Sequence, residues 1–167
     1  MQTFLPYPSF YDVARTLDDK RLGKQRVEGL QIINVVTTPN YSGGWMNHPA
    51  VNMWRGYEDA LKMYTNCIIV EWMRRGYQNT MQLYEVHTPI LLPWWLGDER
   101  LHNSHRSNLL RKEPEYYRRF DWGVSPELPY FWPVAGFPSP VKPKAKRVRA
   151  EMNGVGEDIH MNGVVLQ

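Results

Sequence analysis

The chain has 167 residues, 43% hydrophobic and 22% charged, with seven tryptophans, ten tyrosines and a formal net charge of +3. That length supports one domain with a real hydrophobic core, and a single cysteine, Cys67, excludes an intrachain disulfide framework or a thiolate metal cluster. No apolar run approaches the roughly 18 residues of a membrane span, and MQTFLPYPSF has neither the charged start nor the apolar centre of a secretory signal, so a soluble cytoplasmic protein without a membrane partner is expected.

Residues 1 to 8, MQTFLPYP, are apolar and broken by two prolines, and read as an ordered arm. Ser9 is placed to cap a short helix reaching about Thr16. Asp18 then opens a long helix running to about Val36. At 100° per residue, Leu22, Leu30, Ile32, Ile33 and Val36 share its apolar side, while Arg21, Lys24, Glu28 and Gln31 form a separate stripe. Gly23 and Gly29 each cost about 1 kcal/mol of helix stability relative to alanine, which points to a close approach at those positions. TTPNYSGG reads as a loop, and His48 precedes Pro49 at the start of a helical turn. Tyr57, Leu61, Tyr64, Ile68 and Trp72 recur at helical spacing, with Arg74, Arg75 and Gly76 as a stop signal. TPILLPWWLGDER is irregular. Residues 98 to 112 read as another helix, and Pro114 begins the next. Residues 121 to 140 are rich in proline and aromatics, and read as an extended segment over the body.

The expected fold is therefore all-α, with one compact helical domain over residues 1–140. Residues 141–167 read as a separate tail that is too polar to bury a core, hence disordered. The tail begins with VKPKAKRVRA, which holds five of the 20 cationic side chains.

Three groups of residues carry candidate chemistry. The first is DDKRLGKQRVEG, where Lys20, Arg21, Lys24 and Arg26 accompany one glutamate, Glu28. A helix face of this kind is either a solvated set of ion pairs, each worth about 0.2–0.5 kcal/mol, or a carboxylate held among phosphate-neutralising cations. Arg26 falls toward the apolar side, where a purely solvated arginine does not belong. The second is HNSHRSN, which puts His102, His105 and Arg106 on neighbouring turns, as a polar helix face or as a surface contacting phosphates and bases. Those two histidines have no third ligand at a telling spacing, so no metal is expected. The third is His48, a helix cap or a site residue. No P-loop, dinucleotide fingerprint, nucleophile elbow or HExxH motif is present, so no cofactor is expected.

RLGKQRVEGLQ, GGWMNHPAVNMW, YEDALKMYTNCIIVEWMRRGY and LHNSHRSNLLRKEPEYYRRF together resemble the pyrimidine-dimer DNA glycosylase (endonuclease V) family, most closely its bacterial branch, over residues 1 to about 123. The resemblance implies a compact all-α fold, double-stranded DNA as partner, a monomer as the simplest working form, and a glycosylase with abasic-site lyase activity on damaged or modified pyrimidines. It implies attack by the N-terminal α-amine on the sugar C1′, with a glutamate of the long first helix assisting. Here that glutamate aligns with Glu28, and the amine is that of Met1, because Gln2 is too bulky for methionine removal. Arg21 falls where the best-known family member has a histidine, and residue 2 is a threonine in the phage enzyme. DNA contacts are expected from Arg21, Lys24, Arg26, His48, His102, His105 and Arg106. An α-amine titrates at about 7.7–8.0 against about 10.4 for lysine, so far more of it is nucleophilic near neutrality. The other reading is a non-catalytic DNA-binding protein on the same scaffold, and Glu28→Gln separates the two.

Overall fold

The computed structural model describes residues 1–133 and, by backbone alone, 160–161 and 164–165. Six helices build it: α1 Phe10–Thr16, α2 Asp19–Thr37, α3 Pro49–Asn52, α4 Glu58–Arg74, α5 Glu99–Lys112 and α6 Pro114–Tyr117. A 3-10 turn, Arg118–Phe120, follows α6. A two-residue antiparallel ribbon, β1 His160–Met161 with β2 Val164–Val165, is the only sheet among the described residues. The fold is all-α, as expected. Most of the reading of residues 141–167 as a disordered tail lies outside the described residues.

Local chemistry sets the helix starts. Ser9 Oγ accepts the N–H of Asp12, Asp18 Oδ1 that of Arg21, and Asp98 Oδ1 that of Arg100. Each satisfies a donor that the first turn leaves without a helical partner. His48 Nδ1 does the same for Ala50 N–H ahead of Pro49. The end of α4 is a Schellman motif: Gly76 N–H donates to Met73 O and Tyr77 N–H to Trp72 O. Gly76 has φ +86°, and the Trp72 and Tyr77 rings stack with centroids 4.1 Å apart across the turn.

Helices α2 and α4 pack closely because α2 offers glycine at the contact. A β-carbon on Gly23 would lie 2.9 Å from the Trp72 ring, and one on Gly29 would lie 2.5 Å from Thr65 Oγ1. Glu71, buried near the end of α4, accepts from both Arg74 and Arg75. Arg75 also donates to Asp19 Oδ1 and to the carbonyls of Ala14 and Arg15. One guanidinium thus pins the end of α1 and the start of α2 to α4.

The core is built on large aromatics whose polar tips are all satisfied. Trp54 Nε1 donates to Thr3 Oγ1, Trp95 Nε1 to Met53 O, and the Tyr117 hydroxyl to Asp18 Oδ2. The Trp54 and Trp95 rings meet edge to face at 4.9 Å. Cys67 is buried in α4, and burial pushes its thiol up to about 12, which leaves it unreactive. Up to residue 133 the aromatic, proline-rich segment has no regular structure, and Trp122 and Trp132 pack against the core. No helix among the described residues is long and apolar enough to cross a membrane.

Candidate active site

The N-terminal arm does not lie on the surface. Residues Gln2, Thr3, Phe4 and Leu5 are buried, threaded between α2, α4 and α5. A buried extended segment must find partners for its backbone, and α5 supplies them at Leu5. Leu5 N–H donates to His105 Nδ1 at 2.8 Å, and His102 Nδ1 sits 2.7 Å from Leu5 O. Gly97 N–H donates to His102 Nε2, so His102 is neutral with its proton on Nδ1, and that proton is donated to Leu5. Burial lowers the pKa of His102 and pushes that of His105 down to about 3. Arg106 Nε donates to Pro6 O. HNSHRSN is therefore a clamp on the arm: His102 and His105 are fully buried.

Helix α2 supplies the second set of partners. Gln2 N–H donates to Glu28 Oε2 at 3.1 Å, and Phe4 N–H to Gln25 Oε1 at 3.0 Å. Gln25 Nε2 donates to Gln2 O at 2.9 Å and to Glu28 Oε2 at 2.8 Å. The Tyr64 hydroxyl, from α4, donates to Gln25 Oε1 at 2.6 Å and lies 3.1 Å from Phe4 O. Glu28 Oε1 faces Lys24 Nζ at 3.6 Å. The Glu28 side chain is only 9% exposed while that of Lys24 is 72% exposed. The ion-pair stripe read from periodicity is thus covered at one end by the arm, which a helical wheel does not represent.

A cleft of about 540 Å³ opens beside this arrangement. It is lined by Met1 and Gln2 of the arm, by Lys20, Arg21, Lys24, Gln25 and Glu28 of α2, and by His48, Lys112, Tyr130 and Trp132 among others. Arg21 donates to Asp18 Oδ2 at 2.9 Å and reaches Glu113 at 3.7 Å. His48 is held below its ordinary pKa by burial and by the positive charge of the Met1 amine, with Glu28 acting in the opposite sense. No group of three His, Cys, Asp or Glu among the described residues could hold a metal ion.

Of the residues singled out in the sequence, the cleft brings together Met1, Lys20, Arg21, Lys24, Glu28 and His48. Arg26 lies elsewhere, over the Trp72 ring at 4.2 Å and donating to Asn79. His102, His105 and Arg106 lie behind the arm. The pattern did not single out Gln2, Gln25, Lys112, Tyr130 or Trp132. Gln25 had a signal, since it precedes Glu28 by three and so shares its face. Tyr130 and Trp132 had none, being brought in by an irregular segment.

Fold and site together define an all-α protein with a cation-lined cleft whose wall holds both Met1 and a buried carboxylate. The model of the family described as pyrimidine dimer DNA glycosylase matches residues 1–85, and the chain belongs to that family of DNA glycosylases. The matched part carries the arm, α2 and α4; α5 and the aromatic wall of the cleft lie beyond it. No curated protein and no solved structure matches the chain.

Proposed function

We propose that the protein removes damaged or modified pyrimidines from double-stranded DNA and then cleaves the abasic site, using the Met1 α-amine as nucleophile and Glu28 as its carboxylate partner. The hydrogen bond from Gln2 N–H to Glu28 Oε2 carries this reading. The amine is three covalent bonds from that nitrogen, so chain geometry alone keeps it within about 7 Å of the carboxylate.

The chemistry then runs as follows. The neutral amine attacks C1′, the C1′–N glycosidic bond breaks, and the base leaves with the electron pair and takes up a proton. Positive charge develops at the sugar, and the Glu28 carboxylate stabilises it. Loss of the amine proton and opening of the sugar ring give an imine. Loss of a C2′ proton then expels the 3′ phosphate oxygen and cuts the strand. Lys20, Lys24 and Lys112 on the cleft wall suit phosphate neutralisation. Tyr130 and Trp132 offer faces for an unstacked base. A neutral His48 adds no second positive charge beside the amine.

Borohydride trapping on a duplex with one abasic site tests the reading. Wild type is expected to form a covalent adduct, and one extra residue ahead of Met1 to abolish it. Glu28→Gln is expected to lose base release while keeping DNA affinity. An adduct that survives blocking of the amine would refute the assignment of Met1. Absence of any adduct from a protein that still binds would refute the lyase step.

A further inference from the structure

Gln25 is fully buried in the wall of the cleft, and its amide uses its whole hydrogen-bonding capacity. Nε2 donates to Gln2 O and Glu28 Oε2, while Oε1 accepts from Phe4 N–H and the Tyr64 hydroxyl. These partners fix which way the amide faces. Rotated by half a turn, it would set its carbonyl against Gln2 O and a carboxylate, and its NH₂ against Phe4 N–H. Three of the bonds close a ring: Gln2 N–H to Glu28 Oε2, Gln25 Nε2 to the same oxygen, and Gln25 Nε2 to Gln2 O. Residue 2, the one bonded to Met1, is therefore held at both its N–H and its carbonyl.

We infer that Gln25 is the positioning residue of this site and that it divides the work of the Glu28 oxygens. Oε2 accepts from two neutral, buried donors and is the anchoring oxygen. Among the described residues Oε1 has only Lys24 Nζ, at 3.6 Å on a side chain that is mostly exposed, and it is the oxygen presented to the reacting sugar. Gln25 acts through Glu28 and the arm, touching neither base nor sugar. The inference rests on the reading of Met1 and Glu28 as the reacting pair, and it adds a requirement: the carboxylate must be turned by a neutral donor on its other oxygen.

Two variants and three readouts test it. Gln25→Leu removes all four hydrogen bonds. Gln25→Glu keeps the shape; ionised it has no donor for Gln2 O or Glu28, and protonated it regains one. The other titratable groups facing this position are Glu28 and Lys24 of α2, Tyr64 of α4, the Met1 amine, and His48 and Tyr130 across the cleft. The first readout is the single-turnover rate of adduct formation. The second is affinity for a duplex with an uncleavable abasic-site analogue. The third is the exchange rate of the Gln2 and Phe4 amide protons.

For Gln25→Leu the rate should fall roughly 10–100-fold, the range expected for hydrogen bonds to a charged group, with affinity little changed. The Gln2 and Phe4 amides should exchange faster while those of α4 do not. For Gln25→Glu the rate relative to wild type should climb as pH drops from about 8 to about 5, following protonation of the new carboxyl. Wild-type rate and wild-type exchange in Gln25→Leu would overturn the inference, as would a Gln25→Glu ratio that is flat with pH. If wild type forms no adduct, the amine reading fails by itself, and the two amide exchange rates decide the positioning claim.

Discussion

At the scale of single residues, the site is organised by which groups are kept neutral. His48 caps α3 through Nδ1 and lines the same cleft as Met1. Burial depresses its pKa, and the nearby amine charge depresses it further. Two positive charges in one low-dielectric cleft are unfavourable, so the amine charge disfavours protonation of His48. Acetylating the Met1 amine removes one of those charges. The His48 pKa is then expected to rise toward its ordinary value, as read by NMR titration of its ring proton, with the rest of the spectrum little changed. An unchanged His48 titration would mean that the amine points away from the cleft.

At the scale of elements, the contact between α2 and α4 sets the position of Glu28, and Gly29 is its tightest point. Alanine at position 29 gains about 1 kcal/mol in helix propensity but drives a methyl group into Thr65, whose Oγ1 is held by a hydrogen bond to Leu61 O. Overpacking of this kind costs about 1–3 kcal/mol, so Gly29→Ala is expected to be destabilising by up to about 2 kcal/mol net in urea titration. Gly29→Ala combined with Thr65→Ala should be more stable than the sum of the single effects, because the clash needs both side chains. The helices themselves were legible in the sequence. Ser9, Asp18, Pro49, Gly76 and Pro114 are local signals, and local signals specify where a helix starts or stops. The glycines announced a close approach, but not that its partners are Trp72 and Thr65. Glu28 is the sharper case. Periodicity put it on one stripe with Gln31, and Gln31 is exposed, yet Glu28 is buried. The cause is a strand of backbone from residues 1–5, and no helical pattern encodes the path of a non-helical arm.

At the scale of the whole molecule, the arm joins distant parts of the chain, and its hold has a pH signature. Burial keeps His105 neutral, lowering its pKa from 6.5 to about 3, while its Nδ1 accepts the Leu5 N–H. A base with a depressed folded pKa binds fewer protons in the folded than in the unfolded chain, so stability rises with pH between those values. Its contribution is complete above the unfolded pKa and drains away as pH falls toward the folded one. Between about pH 7 and about pH 4.5 this histidine alone should remove about 2–3 kcal/mol, and His102 adds in the same sense. His105→Asn, which can still accept from Leu5, is expected to be less stable near pH 7 but to show a flatter pH dependence in denaturant titration. A slope equal to that of wild type would place the acid sensitivity elsewhere.

Three of the hydrogen bonds that hold the arm and the start of α2 reach about a hundred residues along the chain: Leu5 to His105, Pro6 to Arg106, and Asp18 to Tyr117. The hydrogen bond between Trp122 and the Tyr7 hydroxyl spans further still. On a ribosome, the arm and α2 emerge first, while α5 and the aromatic segment follow after several seconds at the usual pace of synthesis, about 5–20 residues per second. During that interval Glu28 and the first residues have each other but not the clamp that sets their geometry. The nascent chain therefore carries its chemistry unassembled, and the cleft closes only when the last third of the domain has left the tunnel.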